Sequence, residues 1–137
     1  MKRITLDAAQ KAMAEVLKRM KTDGGMPVAL CVADATGTMV AFARMDGVPE
    51  RIAAIVTGKA YTAARMRKST AAFRERLLEA NMTLADFCDT GLTSLSGGAP
   101  VMLGETFLGA VGVSGRKLEE DDAIAQSFAG MLAKYLA

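Results

Sequence analysis

The stretch "GGAPVMLGETFLGAVGVSG" (97–115) places glycine at six of its nineteen positions, with two short apolar runs between them. It can be read as a phosphate-cradling loop or as sheet whose turns need glycine. The loop reading fails on spacing. A Walker loop requires GxxxxGK[ST], and no glycine in this chain is followed by Lys and then Ser or Thr. A GxGxxG between a strand and a helix is also missing. The sheet reading accounts for the pattern: "GLTSLS" (91–96), "APVMLG" (99–104) and "TFLGAVGVS" (106–114) are strand-length segments. Gly97–Gly98 and Gly104–Glu105 fall between them, where two-residue hairpins want positive φ. Gly109 and Gly112, inside the last segment, point to a bulge or to the close approach of another group.

Upstream, Thr5 is placed to cap a helix whose first turn holds Asp7. Leu6, Ala9, Met13, Val16, Leu17 and Met20 recur on its face until Gly24–Gly25 stops it. "MPVALCVAD" (26–34), the turn "DATG" (34–37) and "TMVAFARMD" (38–46) predict an antiparallel strand pair. Residues 50–66 then carry Ile52, Ile55, Lys59, Ala63 and Met66 at helical spacing. "KST" (68–70) interrupts, and 71–82 resumes as helix with Phe73, Leu77 and Leu78 inward. After the glycine-rich strands, "EEDD" (119–122) opens a last helix with a stripe of Ile124, Phe128, Met131, Leu132 and Tyr135. The order is helix, two strands, helices, three strands, helix. That predicts one α+β domain over 1–137: an antiparallel sheet of five strands with helices packed mainly on one face.

Composition narrows the chemistry. A net charge of +2 is too small to call for nucleic acid. No apolar run approaches the ~20 residues of a membrane span. The polar start "MKRITLDAAQ" lacks a secretory signal, so the expectation is a soluble, cytoplasmic protein. Cys31 and Cys88 are too few for a disulfide framework, and Cys31 lies inside an apolar run. The chain has no histidine. This removes Ser–His–Asp and Cys–His pairs, HExxH metal sites and histidine-ligated haem. No metal site is expected.

Three groups of residues carry the remaining possibilities. Arg44 and Asp46 alternate onto one face at a strand end, as a surface ion pair or as a binding pair at a pocket mouth. Lys59 sits on an apolar helical stripe, either snorkelling or buried with a partner such as Asp46 or Asp121. "RMRKSTAAFRER" (65–76) concentrates five basic residues, among them Arg67, as a solvated helix junction or as a carboxylate site. Backbone amides of Gly112–Gly115, ahead of a helix, could hold an anion.

Taken in order, "GGMPVALCVADATGTMVAFARMDGVP", "GKAYTAARMRKST", "GGAPVMLGETFLGAVGVSG" and "EEDDAIA" resemble the GlcG/HbpS family, the haem-degrading-domain family, which also takes in the C-terminal domain of PduO-type proteins. The resemblance covers nearly the whole chain. It implies a profilin- or PAS-like sandwich with a five-stranded sheet, and homo-oligomers built from dimers. It also implies a pocket near a subunit boundary formed by Arg44, Asp46, Gly47, Lys59, Thr62, Gly97, Gly98, Pro100, Gly115 and Asp121. Two departures stand out: Ile52 occupies a position where relatives often carry serine, and the histidines of some relatives have no counterpart. Haem binding need not use histidine; Met, Tyr61, Lys59 or Cys would then supply any axial ligand.

Two functions follow. One is a binding module for a small anionic ligand, with haem or another tetrapyrrole foremost, its carboxylates paired by Arg44, Lys59 or Arg67. The other is an isomerase or lyase on an oxo- or hydroxy-acid. There Lys59 would act as base or Schiff-base former, Asp46 or Asp121 as its proton partner, and the 112–115 amides would steady developing charge.

Overall fold

The computed structural model describes residues 2–137. The elements run α1 (Leu6–Thr22), β1 (Ala29–Asp34), β2 (Met39–Arg44), α2 (Ile52–Met66), α3 (Thr70–Glu79), β3 (Gly98–Leu103), β4 (Thr106–Ser114) and α4 (Leu118–Leu136), with a short 3-10 turn at Leu84–Phe87. The strands form one antiparallel sheet in the order β2-β1-β4-β3. The caps follow the sequence. Thr5 Oγ1 accepts from the Ala8 amide at 3.1 Å, and Ser69 Oγ accepts from Ala72 at 3.1 Å after Arg67 has ended α2 in the left-handed conformation.

The sheet has four strands, not five. Residues 91–96 leave it because side chains answer their backbone groups instead of a ladder. The Thr93 amide donates to Thr62 Oγ1 at 2.9 Å, the Leu95 amide donates to Thr93 Oγ1 at 3.2 Å, and Leu92 is buried with Phe73 and Leu77 of α3. Gly97–Gly98 is therefore no hairpin turn, whereas Gly104–Glu105 is one: Leu103 pairs with Thr106 across it and Gly104 has φ 63°.

Helices cover both faces of the sheet rather than one. Val28, Leu30, Val32, Val111 and Val113 pack with Val16 of α1 and Phe128 and Leu132 of α4. Ala29, Cys31 and Ala33, which alternate with them, pack under Val56 and Ala60 of α2. A strand apolar at five successive positions, as β1 is over 29–33, is buried on both sides. The α2 face is built from small residues because the helix comes close. A Cβ on Gly112 would lie 2.5 Å from the Val56 carbonyl oxygen and 2.9 Å from the Ala60 nitrogen, and one on Gly98 would strike the Lys59 carbonyl.

The helix stripes are rotated slightly from expectation. Leu6, Leu78 and Tyr135 are exposed, while Ala8 and Ala12 take inward places on α1. No helix among the described residues is long and apolar enough to cross a membrane.

Candidate functional site

Two constellations flank α2. The first is buried. Lys59 leaves the apolar stripe of α2 and runs past the end of β4, where its ammonium donates to Val113 O at 2.9 Å, Ser114 Oγ at 3.2 Å and Asp121 Oδ2 at 3.2 Å. Three donors meet three acceptors, so the charge is fully used. Lys59 and Asp121 are each 1% exposed. Burial pushes the Lys59 pKa below its ordinary value, with Asp121 opposing, and pushes the Asp121 pKa up, with Lys59 opposing. The other Asp121 oxygen accepts from the Arg116 amide at 3.0 Å. The anion held ahead of α4 is thus the protein's own carboxylate.

This network gathers several residues expected at the site. Gly97 (φ 125°) adjoins both the Val113 carbonyl and the Lys59 ammonium, which leave no room for a side chain. Gly98 begins β3 with its amide donating to Thr70 Oγ1 at 2.9 Å. Gly115 lies against Pro27 and Val28, and Gly47 adjoins the Pro27 ring. Thr62, fully buried, spends its hydroxyl on the 91–96 loop.

The remaining candidates lie elsewhere. Asp121, not Asp46, partners Lys59; Arg44 and Asp46 are exposed and line a shallow groove with Leu17 and Lys21 of α1. Their side chains form no ion pair with each other. Pro100 is on the edge strand opposite Ala110. Arg67 places its guanidinium 4.7 Å from the centre of the Phe107 ring. Ile52, where a serine hydroxyl was the alternative, packs partly buried beside Val48 and Val56.

The second constellation is open. A groove of about 700 Å³ runs between β2 and the first half of α2, and 89–91 closes one end. Met39 and Phe42 form one wall because Val40 is an extra residue: Ala33 pairs with Met39 and Val32 with Ala41, so the strand bulges and both side chains reach the groove. Ala53, Ala54, Thr57 and Gly58 form the opposite wall. Tyr61 is held between them and the closed end. A Cβ on Gly37 would lie 3.0 Å from its Cδ1 and one on Gly91 2.9 Å from its Cε2, so glycines clamp both ring edges. Its hydroxyl donates to Asp89 Oδ2 at 2.6 Å, which raises the phenol pKa and lowers that of the carboxylate. Tyr61 therefore stays a neutral phenol, and Asp89 stays charged.

Sequence reasoning misses the wall Met39–Phe42 and the pair Tyr61–Asp89 as a unit. The only local signals of the pair are Gly37, read in a turn, and Gly91, read as the start of a strand.

The family model described as "Haem degrading protein HbpS-like" matches residues 4–129. The chain belongs to the HbpS-like family. This HbpS-like chain is 39% identical over 107 residues to protein GlcG of Escherichia coli K12, covering 78% of each. It superposes on Streptomyces reticuli HbpS, solved as a double mutant, with a TM-score of 0.84 at 29% identity, over 96% of this chain and 88% of that one. A PduOC:heme complex shares the fold, with a TM-score of 0.72 at 22% identity over 92% and 90% of the two chains.

Proposed function

We propose that this HbpS-like chain is a small-ligand-binding protein that works as a homo-oligomer in the cytoplasm, and that the groove between β2 and α2 takes a flat, apolar, ring-bearing molecule of tetrapyrrole class. The observation that carries this reading is the groove itself. Its volume lies within the roughly 300–1,000 Å³ usual for ligand sites, its walls are apolar, and a clamped tyrosine and one charged group stand at its closed end. The family description points to haem, and the haem-bound PduOC structure has the same fold.

The residues present fit haem on restricted terms. With no histidine, an axial donor must be Met, Tyr61, Lys59 or Cys. Lys59 is spent on three acceptors, Cys31 is buried beneath α2, and the Tyr61 hydroxyl is committed to Asp89. Cys88 is exposed but lies outside the groove, so Met39, 47% exposed on the groove wall, is the donor that remains there. Bound haem would supply a redox-active iron; the groove would supply shape and an apolar contact surface. Arg44, Lys59 and Arg67, the expected partners of the haem carboxylates, all lie outside the lining of this groove.

The alternative chemistry at Lys59 has no comparable support. Its ammonium is sealed and fully bonded, and Asp46 is not beside it.

Haem titration tests the reading. The expected result is a Soret band saturating at one haem per chain, weakened at least tenfold by Ala54→Trp, which fills the groove. No spectral change with excess haem sinks the haem assignment. A saturating band untouched by Ala54→Trp sinks the groove.

A further inference from the structure

A second cavity, of about 420 Å³, lies behind the closed end of the groove and shares Asp89 with it. The C-terminal end of α2 supplies Arg65 and Arg67 to one wall, and the 3-10 turn supplies Phe87 and Cys88 to another. Three non-glycine residues among those described have positive φ, and two of them line this cavity: Arg67 (φ 55°) and Cys88 (φ 53°). Glycine is the usual residue at such caps, so both positions keep a side chain at a cost in backbone strain.

The arginines here are held without being used. The guanidinium of Arg65 lies 5.8 Å from the centre of the Tyr61 ring, that of Arg67 4.7 Å from Phe107, and that of Arg76, just beyond the lining, 5.7 Å from Phe87. A ring beneath a guanidinium attracts its charge and leaves the N–H fork open. None of the three donates a hydrogen bond or forms an ion pair among the described residues. The acids nearby are answered locally. Asp34 accepts from the Thr36 and Thr38 amides, Asp86 from the Thr83 amide, and Asp89 from the Gly91 amide and the Tyr61 hydroxyl. Among the charged groups of the cavity, only the guanidiniums lack partners. Two forks match an anion of double charge with several acceptor oxygens. Phe87, fixed edge-on by Phe73 at 5.3 Å, and Leu92 offer an apolar floor to a short carbon skeleton.

We propose that this cavity is a second ligand site, for a compact dianion such as a phosphate monoester or a short dicarboxylic acid, held by Arg65 and Arg67. The inference goes beyond the tetrapyrrole reading and stands without it.

Cys88 is an exposed thiol on the cavity wall and serves as the reporter. Its alkylation by iodoacetamide, followed by mass spectrometry of the full chain at fixed ionic strength, should slow by about threefold or more in millimolar inorganic phosphate or succinate, and not in acetate, which offers one fork's worth of charge. Protection by phosphate alone or by succinate alone identifies the head group. Arg65→Gln with Arg67→Gln should abolish the protection, while Arg51→Gln, the same charge change at the exposed start of α2, should keep it. Arg67→Lys, which retains the charge and loses the fork, should weaken it and covers the case in which the double variant does not fold. No protection by either dianion overturns the site. Protection that survives both the double variant and Arg67→Lys places the anion elsewhere and overturns it equally.

Discussion

Lys59 Nζ lies 3.2 Å from Asp121 Oδ2, and this contact ties α2, on one face of the sheet, to α4 on the other. Removing one partner strands the other's charge in the interior. Lys59→Met should cost about 3–5 kcal/mol in urea denaturation, whereas Lys59→Met with Asp121→Leu should cost distinctly less, because an apolar pair leaves nothing unsatisfied. The pH dependence has a definite sign. Asp121 has a folded pKa above its unfolded value, so its protonated form favours the folded state, and stability falls as pH rises from 3.8 through the folded pKa. With Lys59 gone that pKa climbs further, so the deficit of Lys59→Met should shrink on acidification. A deficit constant between pH 4 and 8 contradicts a buried, charged Asp121.

The contact between α2 and the sheet sets a second expectation. At Gly112 a methyl group meets the backbone of Val56 and Ala60, neither of which is a flexible side-chain end. Gly112→Ala should destabilise by about 1–3 kcal/mol through overpacking. Gly130→Ala is the opposing control. Gly130 lies inside α4 with nothing within 4 Å of an added methyl, so alanine there should gain about 0.5–1 kcal/mol. Thermal or urea unfolding of the two variants should therefore move in opposite directions.

Which parts of this structure were legible in the sequence follows from the range of the interactions. Thr5, Ser69 and Gly104 act on residues two to four away, so the caps and the β3–β4 turn could be read directly. Lys59 betrayed itself by standing on an apolar stripe, but its choice of Asp121 over Asp46 depends on how the end of β4 meets α4. The segment 91–96 has strand composition; Thr62, some thirty residues earlier, captures its backbone and keeps it out of the sheet. Gly112 inside β4 signalled a close neighbour, and that neighbour is α2 on a second face. The Val40 bulge turns Met39 and Phe42 into one wall without any glycine to announce it, so the groove could not be read from alternation.

The two thiols should behave very differently. Cys88 is exposed after the 3-10 turn, while Cys31 is buried under α2 and burial pushes its pKa up to about 11. Thiol titration with an aromatic disulfide reagent at pH 8 should count one rapid thiol per chain, lost in Cys88→Ser, and a second only on unfolding. Linkage gives a companion sign. Between the unfolded value of 9.0 and about 11 the folded chain holds a proton that the unfolded chain releases, so Cys31 lowers stability as pH rises through that window. Rapid reaction of two thiols in the folded protein contradicts the packing of α2 over β1.

At the acid end the decisive pair joins the end of α1 to the turn before α4. Arg116 donates through two guanidinium nitrogens to the Asp23 carboxylate and through Nε to Met26 O at 2.7 Å, with Gly25 lying beneath the guanidinium. The hydrogen bond from Arg116 is the main cause that holds the Asp23 pKa down at about 2, helped by the Gly25 amide. A folded pKa below the unfolded 3.8 adds stability that is present above pH 3.8 and disappears as pH falls through about 2. Melting temperature followed by circular dichroism from pH 5 to pH 2 should therefore fall more steeply in the wild type than in Asp23→Asn, which cannot titrate there. Asp23→Asn should also melt lower than the wild type at pH 5, where it has lost a charge-assisted pair, and the two curves should converge towards pH 2. Parallel curves across that range would mean that solvent, rather than Arg116, sets the ionisation of Asp23.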